Sequence, residues 1–243
     1  ELARYLHMIP GCQPGNAGYP IYVRVTGTGG EDYTVSVSDK RADISGGSVR
    51  GAVYGTYAFL EKCLGFQFLA EDCEIIPDSL PELKACGFHE APAFEYRDAY
   101  WRGALDGTFA LKMRLNSARA DIPPERGGRV MFYNYSHTFE QLVSPDEFFD
   151  THPEYFSMVS GARQRHKSQL CLTNPDVLRI VTERVLGWMR ANPEYTIFSV
   201  AMNDWYSPCE CPACKTLDER EESHAGTMIA FVNAVVDAVR DEF

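Results

Sequence analysis

After residue 93, strand-like and helix-like segments alternate along the chain, and this alternation constrains the possible folds more than any other feature. Residues 195–204 (YTIFSVAMND) form a nearly continuous apolar run, which is typical of a parallel strand covered on both faces. Two helix starts precede it: Ser144 opens a capping box, and Asn174 stands before a proline at the start of an amphipathic run. Repetition of strand, helix and strand predicts a parallel α/β sheet, either open or closed into a barrel.

Further segments continue the alternation in residues 91–243. Strands are predicted at 94–101, 129–137 and 168–174, a helix at 107–116, and an amphipathic helix at the end of the chain. A closed (β/α)8 barrel of the TIM type needs about 250 residues. Residues 91–243 are therefore expected to hold the first half of such a barrel. Both chain ends look cut, because each lies in a helical pattern without a cap, so we expect a piece of a longer protein.

Residues 1–90 show a different pattern and are predicted to form a small α+β domain. Apolar and polar residues alternate at 21–25 and 33–37, as in half-buried strands between glycine-rich turns. Apolar residues then recur at helical spacing over 49–64, and Gly65 lies where a helix C-cap is expected. The proline-containing stretch 77–94 loses this periodicity and is predicted to be a linker.

The charge balance argues against nucleic acid as a partner. The chain has 23 basic and 34 acidic residues, a net charge of −11, and no basic stripe that would follow a phosphate backbone. No apolar stretch approaches the roughly 20 residues of a membrane span, and no signal segment opens the chain. Because the ends look cut, this leaves secretion open, and the oligomeric state is open as well.

The residues that follow the predicted strands suit carbohydrate handling. Ligands of parallel α/β folds gather at the C-terminal ends of the strands. Reading off those ends gives Trp101, Arg102, His137, Asn174, Asn203, Asp204 and Trp205. Aromatic faces stack on sugar rings, arginine holds carboxylates in bidentate fashion, and aspartate gives or takes a proton. No phosphate-binding glycine loop follows a strand, and no G-x-S-x-G or H-E-x-x-H motif is present, so no cofactor is predicted.

Each of these residues also has a structural interpretation. Asn174 is favoured as the N-cap of its helix rather than as a ligand contact. Asp204 precedes a proline-containing loop and could merely cap a turn. A structural role in its loop explains His137 as well as a role in a site does, and an ordinary ion pair explains Arg102. These alternatives stay open from the sequence.

Directly after the Asn-Asp-Trp triplet, three cysteines form a C-x-C-x-x-C motif: Cys209, Cys211 and Cys214. Three sulfurs can surround one ion, but a closed structural zinc site needs four ligands. His224 lies ten residues past Cys214, beyond the usual ligand spacing, and no second C-x-x-C exists. We therefore assign no metal from the sequence and favour thiol contacts or a disulfide that hold the loop, with a metal-binding module as an alternative.

Longer stretches resemble known families. One stretch resembles the small domain that precedes the barrel in α-glucuronidases and β-hexosaminidases: residues 42–72, ADISGGSVRGAVYGTYAFLEKCLGFQFLAED. Three further stretches resemble a bacterial family catalogued as domain of unknown function 4838: HTFEQLVSPDEFFDTHPEYFSMVSGARQ, QLCLTNPDVLRIVTERVLGWM and SVAMNDWYSPCECPACKTLDE. That family is similar to glycoside hydrolases with a barrel, and together the stretches cover most of the chain.

The resemblance implies a glycoside hydrolase-like protein, extracellular or periplasmic, that acts on the end of an oligosaccharide, with uronic-acid glycans as one substrate class. In the hexosaminidases an Asp-Glu pair ends the fourth strand, and Asn203-Asp204 stand in the corresponding place with both side chains changed. Asp204 is then expected to protonate the leaving oxygen, with Trp205 raising its pKa by excluding water. The second carboxylate is expected outside this chain, so the 243 residues alone should be inactive. A carbohydrate-binding protein that has lost the reaction is the alternative, which Asn203 mildly favours.

Overall fold

Several small sheets, rather than one large one, make up the β-structure in the computed structural model, which describes residues 1–15 and 18–243. The architecture is mixed α/β, as predicted, and the described residues form no closed barrel. The chain divides into two compact units, Glu1–Val130 and Met131–Phe243. The expected boundary between residues 90 and 91 lies within the first unit. No helix in the described ranges combines the length and the apolarity needed to cross a bilayer.

The described residues of the first unit form six strands and three α-helices. The strands are β1 (Ile21–Val25), β2 (Tyr33–Val37), β3 (Ala42–Gly46), β4 (Gln67–Ala70), β5 (Cys73–Ile75) and β6 (Cys86–Glu90). The helices are α1 (Leu2–Met8), α2 (Val49–Leu64) and α3 (Gly107–Lys112), with 3-10 turns at Arg102–Leu105 and Pro124–Arg126. The two strands predicted at 21–25 and 33–37 are confirmed.

One four-stranded sheet, in the order β1-β3-β2-β6, forms the core of this unit with α2. Strand β2 lies antiparallel to both neighbours, so that Val35 pairs with Ile44 on one side and with Phe88 on the other. The predicted linker 77–94 is wrong, because it contains β6. Strand β6 lies at the edge of the sheet and is held there by backbone hydrogen bonds to β2. Backbone pairing of this kind does not require a strong alternation of apolar side chains, so the sequence pattern did not reveal it.

Helix α2 begins and ends where the sequence predicts. The Ser48 side chain accepts a hydrogen bond from Gly51 N, and Gly65 ends the helix in the left-handed conformation at φ 81°. The last residue of β3 allows the helix to pack closely, since a Cβ on Gly46 would lie 2.0 Å from Ala52 N. Five side chains of α2 are completely buried in the core: Tyr54, Tyr57, Ala58, Phe59 and Leu60.

The second unit contains four short strands and five helices. The strands are β7 (Phe132–Tyr133), β8 (Met158–Val159), β9 (Ala162–Arg163) and β10 (Ile197–Phe198). The helices are α4 (Phe139–Leu142), α5 (Pro145–Phe148), α6 (Pro175–Ala191), α7 (Pro212–Arg220) and α8 (His224–Val239), with a 3-10 turn at Pro153–Tyr155. Helices α6 and α8 share an apolar core through Val181, Val185, Phe231 and Val235.

Most predicted strands of this region are shorter than their apolar patterns. Of the segments 129–137 and 195–204, only Phe132–Tyr133 and Ile197–Phe198 pair, in parallel. The prediction of a strand at 168–174 is wrong, because a single isolated bridge, which joins Leu170 to Phe156, takes its place. The neighbouring backbone groups are satisfied by side chains, as where Gln169 N donates to Ser157 Oγ, and this replaces a ladder.

The segment 94–101 is not a strand either, and the helix predicted at 107–116 ends at Lys112. A buried side chain explains the irregular course of the segment. Asn116 Oδ1 accepts from Arg97 N at 2.8 Å, and Asn116 Nδ2 donates to Glu95 O at 2.7 Å. The amide thereby satisfies backbone groups that a neighbouring strand would otherwise pair.

Candidate functional site

The 203–207 loop carries three of the predicted site residues, and the buried side chain of Gln169 holds its backbone. Gln169 Nε2 donates to Asn203 O at 2.8 Å and to Trp205 O at 2.5 Å. In return, Asn203 N donates to Gln169 Oε1 at 2.9 Å. Sequence reasoning missed Gln169, because its partners lie 34 to 36 residues away and no motif joins them.

The side-chain amide of Asn203 forms hydrogen bonds within the protein through both its oxygen and its nitrogen. Its Oδ1 accepts from Glu140 N at 3.1 Å, and its Nδ2 donates to Ser168 O at 2.9 Å. Both ends of the amide are therefore used by backbone groups of neighbouring segments. Asn203 acts as a positioning residue that fixes the start of the loop.

Trp205 and Asp204 are presented to solvent by this loop. The Trp205 side chain is 47% exposed, and Lys167 Nζ lies 5.3 Å from the centre of its ring. Trp205 also lines a small pocket together with Glu140, Arg165, Lys167, Ser168 and Asn203. Asp204 is exposed beside Trp205 in the same loop. The loop therefore exposes an aromatic ring with a cation over it and, at the preceding position of the chain, a carboxylate.

His137 is brought next to this loop. It adopts a positive φ of 56°, and its Nδ1 lies 3.1 Å from Met202 O, to which it donates a hydrogen bond. A neutral imidazole that donates through Nδ1 keeps Nε2 as an acceptor. Thr138 holds the contact, because its Oγ1 accepts from Ala201 N at 2.9 Å and donates to Ser199 O at 3.0 Å.

The structure gives the remaining predicted residues other neighbours. Asn174 is the N-cap of α6, and its Oδ1 accepts from Asp176 N and Val177 N. Trp101 and Arg102 belong to the first unit. There the Trp101 ring packs edge-on against Phe109 at 5.6 Å, and Arg102 is exposed.

A second cluster contains the C-x-C-x-x-C motif. Cys209, Cys211 and Cys214 converge with Cys171, and the four sulfurs all lie within 4.8 Å of one another. The Cys171 sulfur is 3.6 Å from that of Cys211 and 3.9 Å from that of Cys214. All four side chains are buried. We call this group the four-sulfur cluster.

Polar groups surround the four-sulfur cluster. Met158 N donates to Cys209 Sγ at 3.4 Å, and Arg163 Nη1 donates to the same sulfur at 3.7 Å. The Thr173 hydroxyl lies 3.2 Å from Cys214 Sγ. Hydrogen bonds from Cys209 and then Cys214 lower the pKa of the Cys171 thiol against the effect of burial. The same contacts with Cys171 raise the pKa of the Cys209 and Cys214 thiols, so negative charge is favoured on the Cys171 sulfur.

The expectation that a fourth ligand is missing is wrong. Cys171 lies 38 residues before Cys209, in the segment 168–174, where no spacing rule connects it to the motif. His224, the residue considered from the sequence, instead places its Nδ1 2.5 Å from Asp218 Oδ2. The one signal for Cys171 was a lone cysteine in an apolar run, which is ambiguous because cysteine is often a core residue.

Comparison with known proteins places both clusters within one family match. Residues 68–243 match a family model described as Domain of unknown function (DUF4838). The match covers more than half of the chain, including the 203–207 loop and the four-sulfur cluster. No curated protein matches the chain.

Proposed function

Since the chain belongs to the DUF4838 family, whose sequence pattern resembles barrel glycoside hydrolases, we propose that it is a glycoside hydrolase-like protein acting on the end of an oligosaccharide. One observation carries the proposal: the 203–207 loop exposes Asp204 next to the half-exposed Trp205, whose ring has Lys167 Nζ over it. Hydrogen bonds of the Gln169 and Asn203 side chains fix the backbone of this loop.

The chemistry of the loop favours a sugar that bears a carboxylate. An aromatic face covers the apolar side of a pyranose, and an ammonium near the ring attracts an anion. Arg165 is already paired with Asp150 at 2.6 Å and Asp146 at 3.1 Å, so Lys167 is the cation assigned to the substrate. A uronic acid at the end of a glycan meets both requirements.

Asp204 is assigned the role of general acid. Excluding water from a carboxyl group favours its neutral, proton-donating form, and a sugar stacked on Trp205 would exclude water there. His137 Nε2 would accept from a sugar hydroxyl. The second carboxylate comes from outside this chain, and its separation from Asp204 sets the outcome: about 5–5.5 Å for retention and about 6.5–9.5 Å for inversion.

The test uses the full-length protein on aryl glycosides and aryl uronides. Cleavage should fall by at least about 100-fold in Asp204→Asn, since general acid catalysis contributes that much or more. Asp237→Asn, an exposed carboxylate on α8, is the matched control and should retain activity. Lys167→Gln should affect uronides more than neutral glycosides. Cleavage that survives Asp204→Asn would remove Asp204 from this role.

A carbohydrate-binding protein without turnover is the second candidate. The observation that favours it is the complete use of the Asn203 amide by Glu140 N and Ser168 O, where the hexosaminidase pattern has a carboxylate. It is distinguished by measuring glycan binding and turnover on the same full-length sample. Binding that depends on Trp205, with no turnover on a broad panel of glycosides, would favour this candidate over the enzyme.

A further inference from the structure

We propose that Cys171, Cys209, Cys211 and Cys214 bind one Zn²⁺ ion in a closed, tetrahedral, structural site. The four side chains are buried, and their sulfurs lie within 4.8 Å of one another. They come from two segments separated by 38 residues, so the fold and not local spacing assembles them. The proposal is independent of the glycan-directed function.

The sulfur separations fit a metal rather than a disulfide. With Zn–S bonds of about 2.3 Å, the sulfurs of a tetrahedral site lie about 3.8 Å apart. The separations from Cys171 to Cys211 and to Cys214 are 3.6 Å and 3.9 Å. A disulfide brings two sulfurs to about 2.05 Å and gives no reason for four to converge on one point.

The surroundings compensate the charge that such a site carries. Four thiolates around Zn²⁺ leave a net charge of −2, which burial penalises unless positive groups face it. Arg163 and Met158 N donate to Cys209, and the Thr173 hydroxyl reaches Cys214. Cys211 is the N-cap of α7, so the positive end of that helix also faces the sulfurs. Outer groups of this kind orient and stabilise metal ligands.

The ligand set selects the ion. Soft thiolates in a tetrahedral arrangement bind zinc or iron and disfavour the hard ions calcium and magnesium. Zinc is chosen over ferrous iron because divalent zinc binds a given site more tightly. Four protein ligands close the coordination sphere, so the ion has no position for a substrate and its role is structural.

The site would fasten both ends of the 203–207 loop. Cys171 lies two residues after Gln169, which binds the loop backbone, and Cys209 lies two residues after the loop ends. The ion would therefore join the segment that supports the loop to the segment that leaves it. This is a physical reason for a metal directly behind an exposed surface loop.

The test measures metal in the purified 243-residue chain after treatment with a chelator and reconstitution with Zn²⁺. Elemental analysis should give about one zinc per chain, as one four-coordinate site requires. Cys171→Ser is the decisive variant, because a site made by the C-x-C-x-x-C motif alone would keep its zinc. Cys73→Ser, an exposed cysteine of the first unit, is the control and should bind as the unmodified chain does.

X-ray absorption at the zinc edge keeps the proposal testable if Cys171→Ser does not fold. The unmodified chain should show four sulfur neighbours at about 2.3 Å. A shell that contains nitrogen or oxygen, retention of stoichiometric zinc by folded Cys171→Ser, or failure to take up zinc would overturn the proposal. Stoichiometric iron in the chain as purified would overturn the assignment to zinc.

Discussion

Gln169 and Asn203 form a reciprocal pair in which each supplies a donor and an acceptor. Gln169 Nε2 donates to Asn203 O at 2.8 Å, and Asn203 N donates to Gln169 Oε1 at 2.9 Å. The side-chain amide thus takes the place that a neighbouring strand would occupy in a ladder. The apolar run 195–204 ends as a defined loop for this reason, although only Ile197–Phe198 pairs as a strand.

Gln169→Ala should destabilise the second unit. The substitution leaves backbone groups of Asn203 and Trp205 without this partner, and an unsatisfied buried polar group costs about 1–3 kcal/mol. We expect a decrease of that size in the free energy of unfolding, measured by urea titration with circular dichroism. Gln141→Ala, at an exposed position of α4, should change it by less than about 0.5 kcal/mol. Equal effects of the two substitutions would contradict the role assigned to Gln169.

Trp205→Ala should weaken glycan binding by at least about ten-fold, because central aromatic contacts carry 1–2 kcal/mol or more of binding free energy. The measurement is calorimetric titration with an oligouronide. Tyr206→Ala is the matched control, since Tyr206 is 92% exposed in the same loop and, unlike Trp205, does not line the pocket. A larger loss for Tyr206→Ala would move the binding surface away from the pocket.

Local signals in the sequence predicted the helix ends well. Ser144 and Asn174, the two helix starts that the sequence marks, each cap a helix through a side-chain oxygen, and Gly65 ends α2 in the left-handed conformation. Capping involves residues two or three positions apart, so the sequence alone contains both partners. The coarse class, mixed α/β, follows from the same local periodicities.

Long-range pairing was not predictable in the same way. The apolar segment 168–174 has the composition of a strand, but the side chains of Ser168 and Gln169 form hydrogen bonds with backbone groups of other segments and of their own. Cys171 joins the motif at 209–214 only through the folded chain. An apolar pattern reports burial, and burial does not specify which partner a backbone or a sulfur meets.

Arg163 should support zinc binding without being a ligand. Its guanidinium donates to Cys209 Sγ at 3.7 Å and to Phe156 O at 2.7 Å. Loss of an outer-shell partner weakens metal affinity by about 10- to 100-fold. The dissociation constant for zinc, measured by competition with a zinc indicator, should therefore rise by that factor in Arg163→Ala. It should stay unchanged in Arg179→Ala, which replaces an exposed ion-pair residue of α6. An unchanged zinc affinity in Arg163→Ala would show that its charge is not felt by the sulfurs.

The first unit should lose stability in acid through Glu74. Its carboxylate accepts hydrogen bonds from Lys112, which is 3% exposed, and from Tyr5 at 2.8 Å. Although burial opposes the shift, the bond from Lys112 and then that from Tyr5 lower the pKa of Glu74. A lowered folded pKa means that the stabilisation is complete above the unfolded value of about 4.3 and is lost as pH falls through the folded pKa.

Glu74→Gln tests this dependence. Removing one member of a buried ion pair costs about 3–5 kcal/mol, and we expect a loss near the lower end at pH 7 by urea titration. The difference from the unmodified chain should shrink as the pH falls below about 4. Glu82→Gln, at an exposed position, is the control. A difference that stays constant with pH would show that the carboxylate charge is not its source.

Zinc should raise the thermal stability of the second unit in a manner that depends on Cys171. An ion that binds only the folded chain stabilises it by about 2.7 kcal/mol when its free concentration is 100 times the dissociation constant. Scanning calorimetry of the unmodified chain should therefore show a transition that moves to higher temperature with added Zn²⁺ and back with a chelator. The transition of Cys171→Ser should start lower and stay there, because three thiolates leave the coordination sphere open to water. A zinc-dependent shift that is equal in both proteins would place the ion elsewhere in the chain and leave the four sulfurs as ordinary core thiols.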